Sequence, residues 1–244
     1  MNEVIRQLAA RRSVRAFEDR DIPGEVRAAI LEAAAQAPTA GNQQLYTILD
    51  VTDPQLKARL AETCDHQPFI ATAPMVLIFL ADVCKWLDAY REAGCEPRAP
   101  GAGDVMLAAS DAAIAAQNAV TAAWSLGVGS CYIGDVMERC EEHREMLNLP
   151  PHVFPAAMLV LGYPTEQQAR RPKPERFNMA DIVCENVYRR KDGPALREMF
   201  AGRCGARGYD AWMDAFCRRK YDSDFSREMT RSVEAYLRDY GLVR

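Results

Sequence analysis

Arg11-Arg12-Ser13-Val14-Arg15-Ala16-Phe17 places three arginines and a serine within five positions, directly after a helical pattern. How this stretch is read decides the fold. As a solvated helix end, its guanidiniums complement the C-terminal dipole, and the chain is a helical protein with an accidental basic knot. As an anion site, its planar, permanently charged donors match phosphate oxygens, with the Ser13 hydroxyl as a further donor. The whole chain carries a formal net charge of −4, so the basic character is local.

Working outward, Val4, Ile5, Leu8 and Ala9 have helical spacing over residues 2–12. Asp21-Ile22-Pro23 opens a second helix over 24–36, followed by the turn Ala37-Pro38-Thr39-Ala40-Gly41-Asn42-Gln43-Gln44. Residues 46–51 read as a strand, and Asp53-Pro54 caps a helix running to residue 64. The continuous apolar run 75–80 fits a strand covered on both faces. A short amphipathic stretch follows at 82–90, and the Gly/Pro-rich segment 92–103 is a loop.

Residues 104–126 form the longest helical pattern, rich in alanine and apolar on nearly every face. That marks either the centre of the fold or a subunit interface. Beyond it come a strand or loop at 130–134, a polar helix at 137–147, an apolar strand at 156–161, a basic stretch at 170–176 and a weakly alternating strand at 181–188. Helices are expected at 194–200, 209–220 and 225–239. Helices alternate with separated strands, which gives an α+β or α/β layout with a small sheet and covering helices.

Composition excludes several classes. The mild acidity argues against a nucleic-acid binder. The first residues carry no apolar signal core, and no apolar run is long enough to span a bilayer, so a cytoplasmic protein with no membrane partner is expected. The eight cysteines form no C-x-x-C pair, and the three histidines are scattered, which predicts reduced thiols and no metal site. A P-loop, G-x-S-x-G and a Rossmann fingerprint are absent; Gly127-Val128-Gly129 lacks the third glycine and follows a helix. What remains is two basic patches, an amide-rich turn suited to a heterocycle edge, and Gly134 after Tyr132-Ile133. Taken alone, the turn reads as an Asx-type turn that serves its own backbone.

With these four segments in this order, the chain resembles the FMN-dependent nitroreductase family. The matches are 11–17, 37–44, 127–134, and Gly162-Tyr163-Pro164 followed by Lys173 and Arg176. The resemblance implies an α+β three-layer sandwich, with a small mixed or antiparallel sheet flanked by helices, in an intertwined homodimer. It implies residues 1–190 as the FMN-binding domain and 191–244 as a helical extension. Arg11, Ser13 and Arg15 would grip the FMN phosphate and ribityl chain with Arg12 nearby, and Lys173 and Arg176 would complete the clamp. Pro38, Thr39, Ala40, Asn42 and Gln44 would line the ribityl and ring region, Gln67 would reach the pyrimidine edge, and Ile133 and Gly134 would sit at the ring. The Gly134 backbone N–H would face flavin N5, with no side-chain acid or base required. Two features depart from the family pattern: Leu45-Tyr46 stands where Pro-Trp is common, and the patch from Arg170 and Arg171 to Lys173 and Arg176 carries an extra residue. The implied activity is ping-pong reduction of an electron-poor small molecule (a nitroaromatic, quinone or flavin) by NADH or NADPH. The alternatives are an FMN-storage or regulatory protein, and a reductive dehalogenase-type enzyme on the same scaffold.

Overall fold

The computed structural model describes residues 1–242. In chain order the elements are α1 (Glu3–Ala10), α2 (Gly24–Ala35), β1 (Tyr46–Asp50), α3 (Pro54–Thr63), β2 (Met75–Asp82), α4 (Cys84–Glu92), α5 (Ala102–Ser125), β3 (Gly129–Ile133), α6 (Cys140–Leu147), β4 (Val153–Gly162), α7 (Glu166–Arg170), α8 (Met179–Ile182), α9 (Gly193–Cys204), α10 (Tyr209–Lys220) and α11 (Asp224–Leu237). Local chemistry sets several starts. Asn2 and Asp53 accept the Ile5 and Gln55 N–H groups at 3.0 and 2.9 Å, satisfying donors that a helix N-terminus leaves over.

The four strands form one sheet in the order β1-β2-β4-β3, antiparallel at every pairing. All eight residues of β2 are buried. Because side chains alternate across a strand, Met75, Leu77 and Phe79 pack with Ile30 and Ala34 of α2 and the alanines of α5. Val76, Ile78 and Leu80 pack on the other face with Leu60, Ala61, Ile70 and Val136. Each such large side chain contributes about 1.5–3 kcal/mol on burial. The result is the expected three-layer α+β arrangement. Phe79 pairs with Ala157 but Leu80 with Pro155, leaving Ala156 as a bulge, which is where a proline is tolerated inside a sheet.

In α5, Ala112, Ala115, Ala116, Ala119 and Ala123 are fully buried against the sheet. Met106, Leu107 and Ile114 of the same helix are exposed. The helix is therefore central on one side and apolar but uncovered on another.

The chain divides into two compact units. The first comprises Met1–Arg171 and the chain from Glu228 onward, and the second is Pro172–Arg227. The boundaries fall at 171/172 and 227/228, so α11 from Glu228 onward belongs to the first unit. There α11 caps α6. Arg139, the residue preceding α6, is left-handed and makes no side-chain cap bond. Instead Glu228 accepts the Arg139 N–H at 3.1 Å, and Ser232 Oγ accepts the Cys140 N–H at 3.0 Å. In the second unit Phe177, Phe200, Trp212 and Phe216 form a row of ring contacts, with the Arg203 guanidinium 3.6 Å from the Phe177 ring centroid.

Residues 181–188 are not the expected strand. They begin in α8 and continue irregularly to Tyr188. Local bonds meet the backbone donors there: Asp181 N–H to Asn178 O at 2.9 Å and Val183 N–H to Met179 O at 2.9 Å. Among the described residues, no helix is long and apolar enough to cross a membrane, and no group of His, Cys, Asp and Glu could hold a metal ion. The cysteines are free thiols.

Candidate cofactor site

The arginine-rich stretch lies along the free edge of β3. Ser13 forms a parallel bridge with Ser130, and the Val14 N–H donates to Ser130 O at 3.0 Å. Further on, Phe17 bridges Pro164, and the Glu18 N–H donates to Tyr163 O at 2.8 Å. Two glycines make room for this. Gly129 and Gly162 are direct cross-strand partners. A Cβ on Gly129 would lie 2.6 Å from Val14 Cγ2, and one on Gly162 would lie 2.6 Å from Phe17 Cδ1. Ordinary carbon contacts are about 3.5–4.0 Å, so both positions must be glycine for the stretch to dock.

Docking buries Val14 and turns its neighbours outward. Burial pushes the Cys131 thiol up from its ordinary range, while Arg15, Ser13 and Arg11 each pull it back down. Ser13 and Arg15 thus stand at hydrogen-bonding range of the Cys131 thiol, and the Arg11 charge is felt there too. Arg11 also acts on Tyr132, whose hydroxyl burial raises to about 12. Arg11 Nη1 is buried with no hydrogen-bond partner. A buried cationic donor left unpaired is costly, and an anion placed there would relieve it. Arg12 turns aside. Its Nη1 donates to Arg171 O, and its guanidinium sits 5.7 Å from the Trp124 ring centroid.

β3 ends at Ile133, which is buried, and runs into a 3-10 turn over Gly134–Met137. Gly134 is exposed, and its φ is not in the left-handed region. A Cβ there would meet only Met137 Cε, at 3.9 Å. The turn does not need a glycine, in contrast to Gly129 and Gly162. Gln67 reaches this turn, its Nε2 donating to Asp135 Oδ2 at 3.1 Å and to Cys64 O at 2.8 Å. Just beyond, Glu138 is buried with Oε1 unpartnered. Burial, with Asp135, Asp65 and Glu228 nearby, pushes its carboxyl up to about 7.

The amide-rich turn is built on a residue that sequence reasoning missed. Asp111, buried in α5, accepts the Thr39 hydroxyl, the Ala40 N–H at 3.0 Å and the Leu45 N–H at 3.2 Å. Thr39 Oγ1 in turn accepts the Gln44 N–H at 2.8 Å. The Thr39 hydroxyl and the Ala40 N–H thus hold the loop itself. Gly41, Asn42 and Gln44 are left-handed, with φ of 58, 57 and 49°. Two non-glycine residues in that region mark a backbone held against its preference. The side chains of Pro38, Asn42 and Gln44 remain exposed. The only hint of Asp111 in the sequence was a carboxylate inside an alanine run.

Lys173 and Arg176 lie in the second unit, in irregular chain before α8; Lys173 is half-buried and Arg176 exposed. The 92–103 loop, in the first unit, lines a cavity of about 420 Å³ with Gln43, Trp86, Tyr90 and Leu107. Arg98 anchors that loop to Asp104 at 2.7 Å, and Asp104 accepts the Gly101 N–H at 2.8 Å.

Comparison with known proteins gives a consistent result. The model of the nitroreductase family matches residues 8–163. The FMN reductase (NAD(P)H) of Bacillus subtilis strain 168 is 31% identical over 239 residues, spanning 97% of this chain and 91% of that protein. The oxygen-insensitive NADPH nitroreductase of Salmonella typhimurium strain LT2 is 31% identical over 221 residues, covering 88% and 89%. The solved structure of Bacillus megaterium NfrA2 superposes with a TM-score of 0.83 at 29% identity, covering 100% of this chain and 99% of that one.

Proposed function

Because the chain belongs to the nitroreductase family, we propose that it is an FMN-dependent NAD(P)H oxidoreductase that reduces electron-poor small molecules in a ping-pong, two-electron exchange. One observation carries this reading: the cationic stretch docks along β3, and Gly134 directly follows that same strand. From Ser130, beside Ser13, to Gly134 is four residues of extended chain, or about 13 Å at ~3.3 Å per residue. That distance suits a ligand with a phosphate at one end and a planar ring at the other.

The residues present fit FMN. Arg11, Ser13 and Arg15 would hold its phosphate, and the orphaned Arg11 Nη1 would gain an acceptor. Each charge-assisted hydrogen bond contributes roughly 1.5–3 kcal/mol. Asn42 and Gln44, on the loop anchored by Asp111, would supply amide donors and acceptors to the ribityl and ring edges. Gln67 would face the pyrimidine edge, and the Gly134 N–H would face the reactive nitrogen. Bound FMN supplies the hydride chemistry, which no side chain of this chain provides. The protein's part is position and electrostatics. At Gly134 it leaves one face open for the nicotinamide and then the acceptor.

The assembly belongs to the same proposal. No residue of α1 is buried. Val4, Ile5 and Leu8 of α1 are exposed, as are Met106, Leu107 and Ile114 of α5. Such apolar surface marks an interaction site, here with a second copy of the chain in the cytoplasm. The decisive assay is NAD(P)H oxidation by the purified, flavin-coloured protein with and without a nitroaromatic, quinone or free flavin. Oxidation that is independent of any acceptor, or protein that takes up no FMN, overturns the assignment. A protein that binds FMN but is not reduced by NAD(P)H would be a flavin-storage protein instead.

A further inference from the structure

His143 has no assigned place in this chemistry. It sits on α6, fully buried, with both ring nitrogens engaged. Nδ1 lies 2.9 Å from Val136 O, and Nε2 lies 2.8 Å from Thr63 Oγ1. A carbonyl oxygen can only accept, so Nδ1 must carry the proton. Nε2 is then the acceptor for the Thr63 hydroxyl. Burial lowers the His143 pKa, with the Val136 bond opposing it, so the neutral ring with this one tautomer is the state that fits.

Val136 is the third residue of the Gly134–Met137 turn, and Thr63 is the last residue of α3. The same end of α3 makes a second contact to that turn. After Thr63, Asp65 and His66 take left-handed conformations, and the chain doubles back. This brings the Gln67 N–H to Ala61 O at 2.9 Å and its side chain to Asp135. The turn is thus held at two successive residues by one helix end, once through Gln67 and once through His143.

We propose that His143 is a positioning residue for Gly134: the Thr63–His143–Val136 chain sets the pitch of the turn and so the direction of the Gly134 N–H. This inference rests on the reading that Gly134 faces the reactive nitrogen of FMN. Its physical basis is that a turn in contact with solvent on one side is oriented by what holds its other side. With Val136 O released, the turn keeps its Gln67–Asp135 tie and the packing of the Val136 side chain, and its peptide planes tilt about these two anchors.

The test compares His143→Leu, which removes both bonds, with His143→Asn, whose amide N–H replaces the Nδ1 donor. Thr63→Val and Thr63→Ser form a second pair that removes or keeps the hydroxyl. Two readouts are needed beyond turnover. In the FMN-free parent, ¹⁵N NMR should show His143 protonated at Nδ1. In the FMN-loaded proteins, the dissociation constant for sulfite, which adds at flavin N5, reports on the donor facing that atom. His143→Leu and Thr63→Val should weaken sulfite binding by roughly tenfold or more, as small misplacements at a reacting atom do. Their FMN affinity should stay within about threefold, because the phosphate donors flank Ser130 and Cys131 and make no bond to the turn. His143→Asn and Thr63→Ser should recover most of the sulfite affinity. If His143→Leu does not fold, the threonine pair decides. Parental sulfite affinity in folded, FMN-saturated His143→Leu or Thr63→Val overturns the inference and leaves the oxidoreductase reading standing. An Nε2-protonated ring also overturns it. A parent that binds no FMN overturns both.

Discussion

Replacing Gly129 by alanine should detach the cationic stretch from its bed. The new Cβ would sit 2.6 Å from Val14 Cγ2, 2.8 Å from Val14 Cβ and 3.1 Å from Val14 Cγ1. Rotating the valine cannot relieve this, because its Cβ is itself too close. The backbone of residues 13–15 must therefore move by about 1 Å to restore ordinary contact. Overpacking of this kind costs about 1–3 kcal/mol, and the Val14 N–H to Ser130 O bond weakens with it. Arg11, Ser13 and Arg15 are carried along. Losing even one charge-assisted bond of roughly 1.5–3 kcal/mol lowers FMN affinity by about ten- to a hundredfold. Thermal melting of the FMN-free protein reads the packing cost, and titration with FMN reads the affinity. Val14→Ala in the same chain removes both Cγ atoms but leaves Cβ at 2.8 Å, so the double variant should recover only part of each loss. Parental melting temperature together with parental FMN affinity in Gly129→Ala would refute the docking described here.

Four further outcomes are expected. Arg11→Ala should weaken FMN binding by about tenfold or more while leaving the FMN-free protein no less stable, since its Nη1 is buried without a partner; calorimetry of both forms checks this. Gly134→Val should fold normally, given the open space at that position, yet slow flavin reduction by roughly a hundredfold in stopped flow; a parental rate would remove Gly134 from the reacting atoms. Glu138 has a folded pKa of about 7, above the ordinary carboxylate value, so its contribution to stability is greatest below about pH 4.3 and is lost as pH rises toward 7. Glu138→Gln should therefore gain stability relative to the parent across that window, reaching about 1–2 kcal/mol after allowance for solvent screening, and a pH-independent difference in denaturant midpoints would contradict it. Ile114→Glu, on the uncovered side of α5, should shift the species seen in sedimentation from dimer to monomer without unfolding the chain; an unchanged sedimentation coefficient would place the interface elsewhere.

Much of the fold was legible in the chain itself. The run 75–80 is apolar at every position because β2 is covered on both faces, and that requirement is visible without coordinates. Asp53 caps a helix through its own neighbour Gln55, so its role is local in sequence as in space. The expected strand at 181–188 failed because a strand exists only by pairing, and weak alternation says nothing about a partner. The alanine-rich helix posed a similar limit. Its composition required burial on most sides, but only the packed chain separates Ala116, against the sheet, from Ile114, which faces outward.

The site divides along the same line. By itself the sequence determined that a cationic cluster, an amide-rich turn and a glycine after Tyr132-Ile133 occur in this order, because each is defined by adjacent residues. Tertiary structure decided what holds them. Gly129 meets Val14 across more than a hundred residues, Asp111 meets Thr39 and Leu45 from another helix, and His143 joins Val136 to Thr63. It also decided which glycine is packing and which is open. Gly129 and Gly134 look alike in the sequence, but the Cβ of one would strike Val14 while that of the other would touch only Met137 Cε, at 3.9 Å. The distinction is one of neighbouring atoms, and those atoms are supplied by parts of the chain brought together only when it folds.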